Sequence, residues 1–379
     1  MQDEPNGATY QWNFAIQRQL PLGVALEAAY AGLHGANLPL SVSINQVAKS
    51  TLDQAHGDPT CFPNATTAPT ANCFLTKNVP NPFDRTKFNQ GNQQYSTISS
   101  VQLYKPFPQY ANISNTGKYT GVSNYNALQM KLEKRFAAGG VLLGSYTFSK
   151  LMGNVESLTS WLETVGAAGY QNTNDLGSEY SLSGYDARQR LVVSYVYSLP
   201  FGRGQHYFAG VSGITDKIVS GWGVNGVSTF QKGYPMGLTH STGYVSTYSG
   251  TGSTRPNVVA GCNKVIGGPI QSRLGDAYST SKYFNTSCFT SPDRFAFGNE
   301  SRTDNQLRLP GVANWDLALY KDTHITERVA LQLRFESFNL FNRVQFGGPN
   351  TSIGSAQQGQ ITTQANEPRL LQLAGRINF

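Results

Sequence analysis

Apolar and polar residues alternate along stretches of about ten residues that recur through the chain. In the first stretch five of the six even-numbered positions from 10 to 20 are large apolar residues, position 18 being Arg, and the positions between them are polar or small. The apolar positions are Tyr10, Trp12, Phe14, Ile16 and Leu20, and those between them include Gln11, Asn13, Ala15, Gln17 and Gln19. Since successive side chains of a β-strand point to opposite faces, the pattern predicts long strands with one apolar and one polar face.

Turn sequences separate the alternating stretches, which predicts that consecutive strands pair as hairpins. The first turn is Pro21, Leu22 and Gly23, and others fall at 137–140, 200–204 and 324–328. The apolar faces of the later strands comprise Val24, Leu26, Ala28 and Tyr30; Leu128, Met130, Leu132 and Phe136; Leu191, Val193, Tyr195, Tyr197 and Leu199; Trp222, Val224 and Phe230; Trp315, Leu317 and Leu319; Val329, Leu331, Leu333 and Phe335; and Leu371, Leu373, Ile377 and Phe379. We predict an all-β, antiparallel fold with about nine long strands.

The lengths of the strands and of their connections indicate a membrane barrel. Strands of ten to thirteen residues exceed the usual length of about five or six and match a tilted strand that crosses a bilayer. Connections within hairpins are mostly short, whereas those between hairpins, 35–122, 152–185, 233–310 and 342–368, are very long. Because bacterial barrels alternate short periplasmic turns with long extracellular loops, we predict a transmembrane β-barrel. We expect its long loops to be surface binding elements or partly disordered segments.

Composition supports strands and argues against membrane-spanning helices. The chain has 39 Gly, 20 Tyr and 20 Phe with only 13% charged residues, a mixture that favours strands and turns. No window approaches the about 20 apolar residues of a spanning helix. A mean hydropathy of -0.34 is expected when alternate residues of each strand are polar.

The nine predicted strands are an odd number, whereas single-chain bacterial barrels have even numbers. The two ends of the chain would then lie on opposite sides of the membrane, and the sheet would have two unpaired edges. Residues 1–7 also lack the basic start and apolar stretch of a secretory signal. We therefore expect a fragment of a larger barrel, with no signal peptide in this chain.

The four cysteines fall in two pairs within stretches rich in Pro, Asn, Thr and Ser. Cys61 lies near Cys73, and Cys262 lies near Cys288. Two loop disulfides formed in an oxidising compartment explain this placement best, and four free thiols are the alternative. A zinc site is disfavoured because no CxxC motif and no suitably spaced histidine accompany the cysteines.

Charged residues on the predicted polar faces are candidates for the barrel lumen, because charges line pores. The alternative is a solvated interior in which these residues pair with one another. They are Lys131, Glu133, Arg135, Arg190, Arg334, Glu336 and Arg376. The aromatic residues Trp12, Trp222, Trp315 and Phe379 are candidates for the girdle at the membrane surfaces, and packing between two sheets is the alternative.

The sequence offers little material for catalysis or for cofactor binding. Its five histidines are scattered without HExxH spacing, and it has no GxSxG motif. Gly202 and Gly204 lack the GxGxxG context of a nucleotide site, so they indicate a turn. The Lys and Arg residues are scattered despite a net charge of +7, which argues against nucleic acid as a partner. We expect a protein that is not an enzyme, with no cofactor and no bound metal.

Several stretches, taken in order, resemble the C-terminal barrel region of the Oar-like TonB-dependent receptors. They are SNYNALQMKLEKRF at 123–136 with GSYTFSK at 144–150, YDARQRLVVSYVYSLPFGRG at 185–204, WDLALYKD at 315–322 and LRFESFNLFNRVQF at 333–346. The resemblance covers the chain from about residue 8 to its end. The stretch LLQLAGRINF, which ends on Phe379, is similar to the final strand that the barrel assembly machinery recognises in many outer-membrane proteins.

The resemblance implies an outer-membrane receptor that captures a solute and imports it with energy delivered by TonB. Transporters of this size have about 22 strands and a plug in the lumen, whereas this chain has fewer predicted strands and no recognisable plug domain. We therefore expect residues 1–379 to be the C-terminal portion of such a barrel in the bacterial outer membrane. Its expected partners are membrane lipid, the assembly machinery, an unknown solute and, through a plug, TonB. A passive porin or adhesin barrel and a soluble carbohydrate-binding module are the alternatives.

Overall fold

The computed structural model describes residues 5–61, 70–84, 86–87, 94–136, 139–155, 169–241, 254–274 and 281–379. In this part of the chain nine long strands form one antiparallel sheet, and each long strand pairs with its neighbours in sequence. The strands are β1 (Ala8–Leu20), β2 (Val24–Ser43), β3 (Ser114–Arg135), β4 (Gly140–Gly153), β5 (Gln189–Ser198), β6 (Trp222–Gln231), β7 (Val312–His324), β8 (Ala330–Phe338) and β9 (Leu370–Asn378). The predicted all-β antiparallel fold and its about nine long strands are confirmed.

The connection between β5 and β6 is longer than the sequence pattern predicted. The chain does turn where expected, with Gly202 and Gly204 at φ of 112° and 71°, a region open to glycine. It then continues to a short helix before β6 begins at Trp222. The described residues contain two α-helices, α1 (Lys49–Gly57) and this one, α2 (Gly213–Val219). The first hairpin, by contrast, turns at Pro21–Gly23 as predicted.

The strands β2 and β3 also extend further than predicted, to 20 and 22 residues. Their pairing shifts register between Gly35 and Leu38, and again between Leu40 and Val42. Such bulges interrupt the alternation of side chains, so the sequence pattern fades near residue 35 although the strands remain paired up to Ser43. The first long connection is therefore 44–113 rather than 35–122.

The registers sort the side chains of the sheet onto two chemically different faces. Directly opposed residues share a face, and Phe14, Tyr30, Leu128 and Phe148 form one such row across four strands. Followed across the whole sheet, the registers place the apolar residues predicted for eight strands on one side, the apolar face, together with Leu142, Tyr146 and Phe148 of β4. The predicted charged residues lie on the other side, the polar face.

The apolar face is exposed, as a barrel wall requires and as a soluble sandwich does not. The exposed fraction is 66% for Phe14, 50% for Leu333 and 81% for Leu373. Strand length also suits a membrane. The ten residues of β5 or β6 extend about 33 Å, which at a tilt of about 40° gives a height of about 25 Å, that of the apolar band of a barrel.

The four long connections lie at the same end of the sheet, and their described parts are packed. We call them loop 1 (44–113), loop 2 (154–188), loop 3 (232–311) and loop 4 (339–369). One hydrophobic core joins loop 1 to loop 3 and comprises Val47, Leu52, Ala55, Cys61, Cys73, Leu75, Val101 and Phe295. A second joins loop 3 to loop 4 and comprises Met236, Leu238, Phe284, Cys288, Phe289, Leu307 and Ile353.

Short elements complete the described parts of the loops. Asn78–Pro80 pairs with Thr97–Ser99, Asn257–Val258 with Phe289–Thr290, Thr239–His240 with Ser352–Ile353, and Ser181–Leu182 with the end of β4. The 3-10 turns are Pro21–Gly23, Ser100–Tyr104, Ile270–Arg273 and Thr286–Cys288. Disulfides join Cys61 to Cys73 in loop 1 and Cys262 to Cys288 in loop 3.

Candidate functional site

A buried ion pair joins loop 2 to loop 3. The guanidinium of Arg255 donates to the carboxylate of Glu179 at 2.8 and 3.2 Å, and the two side chains are 4% and 0% exposed. The same carboxylate accepts hydrogen bonds from the backbone N–H groups of Gln171 and Asn172. Because a buried carboxylate needs both a counter-ion and hydrogen-bond donors, Glu179 requires both loops to be in place.

Two buried glutamines extend this network to loop 1. The side chain of Gln46 donates to the carbonyl of Gln171 at 3.0 Å and accepts from the backbone and hydroxyl of Thr173. The side chain of Gln171 in turn donates to the carbonyl of Gly298 and accepts from the backbone N–H of Arg255. Loops 1, 2 and 3 are thus joined by one buried polar network, in which each bond depends on the position of the others.

A second buried charge cluster lies within loop 3. The ammonium of Lys264 contacts the carboxylates of Asp304 and Glu300, the latter at 3.3 Å. Burial alone would lower the pKa of Lys264, but the hydrogen bond and attraction of Asp304, with Glu300, raise it above its ordinary value. Burial and the negative charge of Asp304 raise the pKa of Glu300. The cluster therefore holds Lys264 charged at neutral pH.

Further contacts connect loop 3 to loops 2 and 4. Arg308 donates to the carbonyl and carboxylate of Asp186 in loop 2. Thr239–His240 of loop 3 pairs in parallel with Ser352–Ile353 of loop 4. All four loops are therefore connected into one packed layer at one end of the sheet, which we call the loop cap.

The charged residues predicted to face the lumen share the polar face but form separate groups. On β3, Glu133 contacts Arg135 at 3.0 Å and Lys131 at 3.8 Å. On β8, Arg334 contacts Glu336 at 2.9 Å. Arg376 on β9 lies opposite Gln332 on β8, and Arg190 lies at the loop-cap end of β5. The mutual pairing of five of the seven matches the alternative of a solvated interior, and their lumenal location stays a prediction.

The polar face carries two depressions that the sequence pattern did not reveal. One, of about 400 Å³, is polar and is lined by Gln17, Gln19, Glu27, Lys131 and Glu133 among others. The other, of about 440 Å³, is mainly apolar, with Asp316 and Glu336 beside Val141, Leu143, Val196, Val227, Ala318 and Phe338. The polar face thus offers contact surfaces of two kinds to whatever occupies the space in front of it.

The predicted girdle aromatics lie toward the two ends of the apolar face. Trp12 and Trp315 lie toward the loop cap, whereas Trp222 and Phe379 lie at the end with the shorter connections. Trp12 lies directly over Gly32 of β2, where a Cβ atom would come within 2.2 Å of the indole ring. Two levels of aromatic residues are the pattern of an interfacial girdle, and this role stays a prediction.

The sequence pattern did not predict the buried charged residues of the loop cap, which are Glu179, Arg255, Lys264 and Asp186. Irregular loops have no periodicity from which a buried position can be recognised, and each of these residues has a partner that is distant in sequence. In the sequence these residues stand out only because they are charged, in a chain with 13% charged residues. Their charge alone does not indicate which residues they pair with.

The described residues give no other indication of a chemical site. None of them form a group of three or more His, Cys, Asp or Glu side chains that could hold a metal ion. Within the same residues no helix is long and apolar enough to cross a membrane.

Comparison with known proteins gives a family and several distant structural relatives. Residues 1–372 match the family model described as outer membrane beta barrel domain. The outer membrane transporter YddB from Escherichia coli is similar over 100% of this chain and 33% of its own, with 8% identity and a TM-score of 0.44. The ferripyoverdine receptor of the Pseudomonas aeruginosa outer membrane is similar over 98% of this chain and 27% of its own, with 10% identity and a TM-score of 0.34.

The chain therefore spans about a third or less of the length of these two structures. No curated protein sequence matches it.

Proposed function

The chain belongs to the outer membrane beta barrel domain family, and from this premise we propose that residues 1–379 form the C-terminal portion of the barrel of a TonB-dependent receptor. Its proposed function is to bind a solute outside the cell and to pass it inward, without catalysis. The observation that carries the proposal is the loop cap, in which buried ion pairs and two hydrophobic cores join all four loops. A packed layer of this kind suits selective capture, because it holds loop side chains in fixed positions.

The two faces of the sheet support the proposed orientation in the membrane. Apolar residues of all nine strands form one exposed face, which suits contact with hydrocarbon. The other face carries charged and amide side chains beside one mainly apolar depression, which suits a water-filled lumen in contact with a plug. In this orientation the loop cap lies outside the cell, and the connections 21–23, 136–139, 199–221 and 325–329 lie on the periplasmic side.

Energised import would require a plug domain inside the barrel, which TonB contacts in receptors of this type. We therefore propose that this chain captures the solute and forms part of the barrel wall along which the solute passes. The relative YddB is a transporter and the Pseudomonas aeruginosa relative is bound to ferripyoverdine.

The strand β9 supports a further part of the proposal, recognition by the barrel assembly machinery. It is an edge of the sheet, hydrogen-bonded to β8, and its apolar side chains are exposed. Leu373 is 81% exposed and Phe379 is 99% exposed. An edge strand with free backbone groups is the kind of template to which another strand can be added.

Swelling of liposomes in isotonic arabinose tests the receptor against the nearest alternative, a passive pore. We expect liposomes that contain the purified chain to admit arabinose slowly, because the loop cap obstructs one end of the path. Removing a cap ion pair with Glu179→Ala and Arg255→Ala is expected to increase the flux. Lys49→Ala, which removes an exposed pair with Asp53, is the matched control and should leave the flux unchanged.

Steady flux through the unaltered chain, equal to that of the variant with the loosened cap, would contradict the proposal and favour a passive porin. Insertion of each variant into the liposomes is verified by flotation, so that a low flux is compared only among proteins that have entered the bilayer.

A further inference from the structure

A cavity of about 710 Å³ lies where the apolar face meets the loop cap. One wall belongs to strands β2, β3 and β4, with Tyr30, Leu128 and Phe148 among its residues. The other wall belongs to loops 2 and 3, and includes Tyr180 and Asn305. The registers place the side chains of Tyr30, Leu128 and Phe148 on the apolar face, so the cavity opens on the side of the sheet that we propose to contact lipid.

The polarity of this face changes within the cavity. On β4, Phe148 is followed on the same face by Lys150, with Met152 beyond it. On β3, Leu128 is followed on the same face by Asn126 and then Asn124. The hydroxyl of Tyr30 donates to Asn126 at 2.6 Å. The cavity therefore spans a boundary between an apolar surface and a row of polar side chains.

Two cations face the polar half of the cavity. Lys150 and Arg188 are both exposed, and neither forms an ion pair with another described residue. The guanidinium of Arg188 lies 5.7 Å from the centre of the Phe148 ring, and this contact leaves its N–H donors available. The carboxylate of Asp186 also lines the cavity, but Arg308 already neutralises it. The polar half of the cavity thus has a surplus of positive charge.

We propose that this cavity binds a phosphate-bearing lipid of the outer leaflet, with the phosphate at Lys150 and Arg188. This inference rests on the membrane orientation proposed above. Charge complementarity selects an anionic group with several acceptor oxygens, which phosphate provides. The apolar half selects a lipid over a soluble anion, because Leu128 and Phe148 continue into the exposed apolar face through Met130 and Ile16. An acyl chain would lie along these side chains, where it buries apolar surface.

Native mass spectrometry of the full chain, folded in an uncharged detergent, tests the proposal with short-chain phosphatidic acid as the probe. We expect phosphatidic acid to bind and a diacylglycerol with the same acyl chains to remain unbound. Lys150→Gln and Arg188→Gln should each weaken binding about tenfold, the effect of losing one charge-assisted hydrogen bond. Lys217→Gln, which removes an exposed cation of α2 at the other end of the sheet, should leave binding unchanged.

Three results would overturn the proposal: equal binding of diacylglycerol, an equal effect of Lys217→Gln, or displacement of the lipid by inorganic phosphate at the same concentration. The last would identify a site for a soluble anion. Membrane insertion is measured separately by flotation with liposomes. Insertion without phosphatidic acid binding contradicts only the lipid site, whereas failure to insert contradicts the proposed function itself.

Discussion

The buried pair of Arg255 and Glu179 allows a quantitative test of the loop cap. Replacing Glu179 with Ala leaves the Arg255 guanidinium buried without its counter-ion, and it removes the acceptor of two backbone N–H groups at 3.2 and 3.0 Å. Breaking a buried ion pair by removing one partner costs about 3 to 5 kcal/mol. Since about 1.4 kcal/mol corresponds to a factor of ten, opening of the cap should become about a hundredfold to a few thousandfold more frequent.

Hydrogen–deuterium exchange measures this change, because protected amides exchange through local opening. The peptides to follow are 169–180 in loop 2 and 254–260 in loop 3. We expect both to lose protection together, since the pair joins the two loops. Lys49→Ala is the control, because Lys49 and Asp53 form an ion pair whose side chains are 59% and 55% exposed. Such exposed pairs contribute about 0 to 1 kcal/mol, so protection should change less than about fivefold.

A double variant separates loss of the pair from loss of packing. Glu179→Leu combined with Arg255→Met replaces both charges with apolar side chains of similar size, and such replacements are often neutral or stabilising. We expect it to recover much of the protection that Glu179→Ala loses. The amides of Gln171 and Asn172 remain without an acceptor, so recovery should be incomplete. If Glu179→Ala changes protection no more than Lys49→Ala, the buried pair does not hold the loops together.

Two further predictions concern the charge cluster of loop 3 and the faces of the sheet. The raised pKa of Lys264 means that its contribution to stability is complete below the ordinary lysine pKa of 10.5 and is lost as the pH rises through the higher folded value. Near-ultraviolet circular dichroism should show this alkaline transition, and Lys264→Met should remove it. On β3, Met130→Arg places a charge on the apolar face and should destabilise the folded barrel by about 2 to 4 kcal/mol, whereas Gln129→Arg on the polar face should cost much less. Equal effects of these two variants in urea titrations in liposomes would contradict the proposed orientation.

The strands could be predicted from the sequence because each one separates two different environments. The alternation from Tyr10 to Leu20 has the two-residue period of a strand and does not fit the longer period of a helix, and the observed sheet has the predicted faces. The prediction was wrong where the alternation is interrupted. Bulges after Gly35 hid the outer parts of β2 and β3, and helix α2 lengthened the connection to β6.

The loop cap could not be predicted in this way, since its residues have no repeating environment. Its buried charges resemble ordinary loop charges in the sequence, and Arg255 has its partner 76 positions away. The expectation that the long loops are surface binding elements or partly disordered segments followed from their length alone. It did not predict the hydrophobic cores of the described parts of loops 1, 3 and 4.

The sheet and the loop cap differ in how far apart in sequence their hydrogen-bonded residues lie. This difference suggests an order in which they form. Each long strand is hydrogen-bonded to strands that are adjacent to it in sequence, so the sheet can grow one hairpin at a time. The contacts of Gln46 with Gln171 and of Gln171 with Gly298 span 125 and 127 positions, and closing such distances is slow until intervening segments are fixed. We therefore expect the loop cap to close last, once the strands that carry loops 1, 2 and 3 have been joined, so that its closure reports that these strands are in place.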